Sequence, residues 1–284
     1  MVNVAIVTDS TAYLPQSFVA DHGIQVVPLH VVIGGTEFSE GVDVSTAEVA
    51  VALRSFRPVS TSRPSPQAFL EAYEKAAAAQ ADAIVSVHIS ADMSSTVESA
   101  HLAAQQSPVP VTVVDSRSLG MAMGYGVVSG AEAAAKGASA EDVAGVVLSR
   151  SVGSKVVFYV DTLEHLRRGG RIGSASAFLG SALAIKPILE LADGHIRPLE
   201  KVRTSARALA RLEEIAVTAA EGMEHGVDIA VHHLDSATRA EDLAARLRER
   251  VPTAHEVVVV ELGAVVGAHV GPGTLAVAVS PRTA

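Results

Sequence analysis

Short runs of β-branched and apolar residues alternate with longer alanine-rich segments through the first half of the chain, the apolar runs falling at residues 4–8, 24–33, 83–89 and 109–114. Runs of this length with few polar positions are the pattern of strands covered on both faces and joined by crossover helices into a parallel sheet. The segments between them carry helical signals. Ser65 before Pro66 supplies an N-cap with proline at the first helical position, and Phe69, Leu70, Tyr73, Ala76 and Ala77 then recur on one face. Ser45, Thr46, Ala47 and Glu48 fit a capping box, and Ser139 opens another helix that runs to about residue 149.

The pattern changes near residues 151–155, where glycine and serine interrupt it before an apolar run at 156–160. Residues 188–191 and 196–199 flank Asp193-Gly194, a pair suited to positive φ, so a hairpin and antiparallel pairing are expected there. Leu209, Leu212 and Ala216 mark one helix and Leu243 with Leu247 a second, with strands expected at 227–231, 256–260 and 275–279. These elements predict an α/β chain. Its N-terminal domain, residues 1–152, would hold a mainly parallel sheet with flanking helices, and its C-terminal α+β domain, residues 153–284, a mixed sheet.

Composition narrows the function. Of 284 residues, 49% are hydrophobic and 19% charged, which suits a folded globular chain and excludes disorder. With 31 acidic against 22 basic residues the net charge is -9, so no global positive field exists to hold nucleic acid or an anionic membrane. No cysteine is present, which removes disulfides, thiolate metal sites and cysteine nucleophiles and is compatible with a reducing cytoplasm. Met1, Val2 and Asn3 lead into the first strand without a basic region, so no signal peptide is expected and the protein is expected to stay in the cytoplasm. Two uncharged stretches, 172–185 and 262–280, do not qualify as membrane spans. The first is too short, and Gly263, Gly267, Gly271, Pro272 and Gly273 break the second, so no stable membrane insertion is expected.

Four strand ends repeat one signature: Asp9-Ser10, Asp115-Ser116, Asp161-Thr162 and Asp235-Ser236. Such oxygens either cap the following helix or stand at the sheet edge where α/β proteins place ligands. Ser94, Ser95 and Thr96 crowd one helix N-terminus, where free N–H groups and a partial positive charge can hold a carboxylate or phosphate without lysine. Ser95 with Glu98 also fits a plain capping box. Thr61 and Ser62 add a second hydroxyl pair before a helix, and His269 stands among Gly267, Gly271 and Gly273, either as a buried structural residue or as an oxyanion donor. Arg167, Arg168 and Arg171 cluster with glycines as a solvated loop or an anion and partner contact; the helix-like stretch 174–185 with Phe178, Leu179, Leu183 and Ile185 is core or the wall of an apolar tunnel. His232 and His233 alternate in a strand and point to opposite faces, so they share no metal. No P-loop, dinucleotide fingerprint or nucleophile elbow occurs; the glycines at 120, 124 and 126 have the wrong spacing. Neutral donors for one anion, ample apolar surface and no catalytic machinery favour a carrier over an enzyme. The runner-up is a hydrolase or phosphotransferase acting on a carboxylate at the same hydroxyl cluster.

Over nearly its whole length the chain resembles the DegV family, the bacterial fatty-acid-binding proteins called FakB where they serve a fatty acid kinase. The resemblance rests on residues 6–11, Thr61-Ser62 before Pro64, Ser65 and Pro66, Ser90 through Ser94 to Thr96, and Val114-Asp115-Ser116. It rests further on the Gly169-Gly170-Arg171-Ile172 core, Lys186-Pro187-Ile188, and Gly267, His269, Gly271, Pro272 and Gly273. It implies two α/β lobes with a fatty acid's tail buried at their junction and no cofactor. By motif match the carboxylate ligands would be Thr61, Ser94 and His269, with Ser62 beside them and Ser10, Thr96 and Gly271 at the edge of the site. Arg171 would contact the kinase, which makes an acyl phosphate for phospholipid synthesis. A dozen buried methylenes at roughly 0.8 kcal/mol each offer on the order of 9 kcal/mol before ordering costs, so the tail supplies affinity and the hydroxyls orientation. One loop departs from the pattern, because Asp92 and Ser95 stand where the family commonly has glycine. Asp tolerates positive φ, so the turn is expected to survive with Asp92 facing solvent.

Overall fold

The computed structural model describes residues 2–178 and 185–282. From the amino end run β1 (Val4–Asp9), a 3-10 turn (Ser10–Ala12), α1 (Gln16–Asp21), β2 (Gln25–Val27), β3 (His30–Ile33), β4 (Thr36–Ser39) and α2 (Thr46–Arg54). They are followed by β5 (Val59–Ser62), α3 (Pro66–Ala78), β6 (Ala83–His88), α4 (Thr96–Ala104), β7 (Val111–Asp115), α5 (Met121–Ala135) and α6 (Ala140–Gly153). The expected caps form: Ser45 and Glu48 close a reciprocal capping box, the Ser65 hydroxyl accepts from Ala68 N–H at 3.2 Å, and the Ser139 hydroxyl from Asp142 N–H at 3.2 Å. Order β2-β1-β6-β7 makes a four-stranded, wholly parallel sheet, and β6 is buried at every position, its two polar residues Ser86 and His88 bonding to each other at 2.7 Å.

The single strand expected over 24–33 is two. Pro28 has no N–H to continue a ladder, so β2 ends at Val27 as the edge of the parallel sheet and β3 begins at His30 in a separate sheet. That three-stranded antiparallel sheet, order β4-β3-β5, has no counterpart in the expectation. It pairs Val31 with Thr61 and His30 with Ser62, so the hydroxyl pair before α3 lies on an edge strand.

After α6 the chain enters a six-stranded sheet. Its elements are β8 (Lys155–Tyr159), α7 (Glu164–Arg168), a 3-10 segment (Gly173–Phe178), β9 (Lys186–Ala192), β10 (His195–Val202), α8 (Ser205–Glu221), β11 (Val227–His233), α9 (Ala237–Arg250), β12 (Ala254–Glu261), α10 (Ala264–Val270) and β13 (Leu275–Pro281). The order β10-β9-β8-β13-β11-β12 is antiparallel except between β11 and β12, giving the mixed sheet expected. Asp193 and Gly194 take φ of 51° and 81° in the β9–β10 turn, the geometry the pair predicts. The helix-like stretch 174–185 starts as the 3-10 segment; Leu179 and Leu183 lie outside the described residues.

Two apolar clusters flank the six-stranded sheet. One packs α8 and α9 on it through Leu212, Leu243 and Leu247; the other joins it to α5 through Met121, Ala122 and Tyr125 against Phe158, Ala230 and Ala278. Helix α5 meets α6 closely, because a Cβ at Gly126 would stand 2.4 Å from Ser151 Oγ and one at Gly130 2.5 Å from Val147 Cγ2. Helix contact is thus the use of these helical glycines. Arg150 of α6 crosses this layer, donating to the Ser129 hydroxyl at 2.6 Å, to Ser280 Oγ at 3.2 Å and to the Asp228 carboxylate of β11, with both charges nearly shielded from water. Arg150→Met leaves Asp228 buried with, among the described residues, Arg282 and His255 as its remaining ion partners. An unfolding free energy lower by about 3 kcal/mol is expected, read as a shifted urea midpoint at unchanged slope.

Candidate functional site

Helix α10 packs on the small sheet through Ala264, Val265 and Ala268, which share an apolar cluster with Leu29, Val31 and Ile33. That docking brings His269 to β5, where its Nε2 lies 2.9 Å from the hydroxyl of Thr61, 208 residues away in sequence. Ser94 comes from the loop after β6. Its backbone N–H donates to Ser90 O at 3.1 Å, and its hydroxyl lies 2.8 Å from that of Thr96. The loop in turn is held by the β9–β10 turn, where the Ser90 hydroxyl donates to Gly194 O at 3.0 Å.

Thr61, Ser62, Arg63, Ser94, Arg171 and His269 line one cavity whose remaining wall is apolar, including Ile89, Met93, Leu119, Leu166, Ile196 and Val270. Non-atom space there amounts to about 570 Å³ with the mouth included, and about 70 Å³ is wide enough for the centre of a water-sized sphere. Behind it the apolar layer between α5 and the six-stranded sheet continues, walled by small residues such as Ala122, Ala175 and Ala276 and by Met93 and Met121. Methionine side chains re-pack around irregular shapes at little cost.

The other predicted residues have different partners. Ser10 is not among the lining residues: its hydroxyl donates to Glu40 and accepts from Leu29 N–H at 3.0 Å. Thr96 is buried behind Ser94, and Gly271 gives room to a neighbour, since a Cβ there would lie 2.2 Å from His165 Cδ2. The Ser62 hydroxyl donates to Glu37 at 2.9 Å. Ser95 makes no cap with Glu98, whose carboxylate pairs with Arg63 at 2.6 Å instead. Asp92 is exposed, 3.4 Å from His195, and neither it nor Ser95 takes positive φ, so the loop stands in backbone that needs no glycine at these positions.

Among the strand-end acids, Asp9 and Asp115 bind backbone N–H groups. Asp9 accepts from Thr11 and Ile89, Asp115 from Ala91 and Arg117. They hold loops at the sheet edge. Asp235 pairs with Arg54, and at the remaining strand end it is the Thr162 hydroxyl that accepts, from Glu164 N–H at 3.2 Å. His232 and His233 alternate as expected, and His232 Nε2 accepts from Met121 N–H at 3.1 Å.

Two of the three clustered arginines, Arg167 and Arg168, pair with Glu164 on their own short helix. Arg171 ties the two loops at the mouth, donating to Met93 O at 3.0 Å and Gly169 O at 2.8 Å. Burial, and then the nearby positive charge of Arg171, push His269 down to about 4, so its ring is neutral near pH 7, and its Nδ1 is buried without a partner among the described residues. Sequence reasoning missed two contributors here. Gly169, at φ -74°, is required by space: a Cβ would fall 2.1 Å from His269 Nδ1. Met93 looked like a loop residue, with no periodicity to show that it closes an apolar wall.

A parallel sheet, a mixed sheet and a cavity lined by a polar cluster and an apolar wall define an α/β protein with a cleft of the kind small ligands occupy. The DegV family model, described as "Uncharacterised protein, DegV family", matches residues 3–282. A DegV domain-containing protein of Streptomyces coelicolor is 52% identical over 280 residues, 99% of each chain. Among solved structures, a fatty-acid-binding DegV family protein from Thermus thermophilus aligns with a TM-score of 0.90 at 35% identity, covering 99% of this chain and 100% of its own. DegV of Bacillus subtilis, also a fatty acid binding protein, gives 0.90 at 31% identity with the same coverage. The chain belongs to the DegV family.

Two outcomes follow from the buried imidazole. His269 takes up a proton near 6.5 when unfolded but only near 4 when folded, so its contribution is complete above pH 6.5 and is lost as the pH falls toward 4. Across that window the stability of His269→Gln should fall less steeply than that of the parent in chemical unfolding. Gly169→Ala should displace the ring, weakening its bond to Thr61 and lowering the melting temperature, although the backbone conformation there suits alanine.

Proposed function

We propose that this protein binds a long-chain fatty acid with its tail in the apolar junction and its carboxylate at Thr61, Ser94 and His269, Ser62 lying beside them. One observation carries the proposal: hydroxyls and a neutral imidazole from three separate elements, together with Arg63 and Arg171, line one cavity whose remaining wall is apolar. The fatty acid binding named for the Thermus and Bacillus relatives supports it. The narrow cavity widens as Met93 and Met121 re-pack around the tail, while affinity comes from buried methylenes.

In this reading the protein is a carrier and not a catalyst, with the site at the junction of lobes 1–152 and 153–284. It presents the carboxylate to a separate ATP-dependent fatty acid kinase. A carboxylate oxygen attacks the γ-phosphorus of ATP held by that partner, ADP leaves, and the acyl phosphate enters phospholipid synthesis. Neutral donors suit such a substrate, because an ion pair would hold the carboxylate harder and blunt its nucleophilicity; the two arginines that line the cavity are engaged elsewhere, Arg63 with Glu98 and Arg171 with the Met93 and Gly169 carbonyls. Arg171 at the mouth is the proposed partner contact, the compartment is the cytoplasm, and neither nucleic acid nor membrane insertion takes part. No helix among the described residues is long and apolar enough to cross a membrane.

Native mass spectrometry of protein purified from cells should show a long-chain acid bound at one per chain, and Ser94→Ala should weaken rebinding about tenfold, the scale of one hydrogen bond to a charged group. Protein free of lipid that fails to bind added oleate, yet turns over small carboxylate esters or phosphates, sinks the carrier reading in favour of an enzyme.

A further inference from the structure

We propose that Glu40 is a positioning residue for His269, acting as the anchor that fixes helix α10 along its own axis. The argument starts from a deficit. Gly263, the residue before α10, has no side chain with which to cap the helix, so the first-turn N–H groups need partners from elsewhere. Glu40 supplies one from 225 residues away, its Oε1 accepting from Val265 N–H at 2.8 Å. The next amide, Val266 N–H, donates to the Tyr13 hydroxyl at 3.2 Å, and Tyr13 lies 3.3 Å from the same carboxylate oxygen. The other oxygen of Glu40 accepts from the Ser10 hydroxyl, which in turn accepts from Leu29 N–H at 3.0 Å. Glu40 is only 6% exposed, so water does not compete for these bonds.

The fit is close enough to exclude other residues at Gly263. A Cβ there would stand 2.3 Å from Glu40 Oε1 and 2.5 Å from the Tyr13 ring. Four residues after Val265, one turn along the same helix, comes His269 with its bond to Thr61. The apolar contacts of Ala264, Val265 and Ala268 hold α10 against the small sheet but lack direction, so they resist a small slide along the axis weakly. Hydrogen bonds to the first turn are directional and set that position. The clamp also joins Ser10 to Leu29, the latter a lining residue of the cavity, which explains a serine motif that does not itself reach the cavity.

The inference rests on the proposed function only for what His269 does; its placement by Glu40 can be read without any ligand. Glu40→Ala removes both acceptors, whereas Glu40→Gln keeps a carbonyl oxygen for Val265 N–H. Hydrogen exchange of ligand-free protein should show the amides of residues 265–270 exchanging at least tenfold faster in Glu40→Ala, with β6 and β13 as protected as in the parent. The His269 ring resonances should move in the same variant, and Glu40→Gln should restore both. If oleate binds the parent, Glu40→Ala should weaken it about tenfold and Glu40→Gln less than threefold. Unchanged exchange and His269 resonances in folded Glu40→Ala overturn the clamp, as does equal loosening of β6 and β13, which marks a general loss of stability. Parent protein that binds no fatty acid while Glu40→Ala still loosens α10 overturns the carrier reading and leaves the clamp standing.

Discussion

The contact on which the site depends is the pairing of a neutral, buried imidazole with a threonine hydroxyl on another element. His269 and Thr61 lie 208 residues apart in the chain, and their hydrogen bond exists because α10 crosses back from the six-stranded sheet to dock on the three-stranded one. A charged histidine could not sit there at comparable cost, since burial and the nearby Arg171 both disfavour the proton. The ring is a polar group kept neutral beside an apolar wall, and its second nitrogen has no partner among the described residues.

Around that contact the molecule separates polarity from volume. Polar atoms gather where β5, the loop after β6 and α10 converge, and Arg171 locks two of the surrounding loops through carbonyl oxygens. Beneath lies an apolar layer between α5 and the six-stranded sheet, in which leucines, Phe158 and Tyr125 pack with alanines, Met93 and Met121. An amphiphile with one anionic end and one apolar end matches that division. The two solved relatives named for fatty acid binding share this chain's fold across essentially their full length.

Much of the frame was legible in the chain. The apolar runs that became β1 and β6, the caps at Ser45, Ser65 and Ser139, and the Asp193-Gly194 turn are local events, decided by residues within a few positions of each other. The single strand expected over residues 24–33 failed for a reason visible in hindsight at Pro28, which hydrophobic periodicity overlooks and ladder chemistry does not. Ser95 and Glu98 carried a valid capping signature, but Arg63 offered the carboxylate an opposite charge from another element. The motif around Ser10 drew attention for the right residue and the wrong partner, because a buried acid 30 positions later takes its hydroxyl.

Taken alone, the sequence determined the alternation of strands and helices, the mixed sheet of the second half and, through ordered motifs, resemblance to a family, because each depends on local periodicity, capping or identity at fixed spacing. Tertiary structure alone decided that Thr61 faces His269, that Gly169 must lack a side chain to admit the imidazole, that Met93 closes an apolar wall, and that Glu40 caps a helix more than two hundred residues away. These are contacts between segments that no spacing relates. They arise when apolar faces are buried together, and that step brings distant polar atoms within hydrogen-bond range of one another.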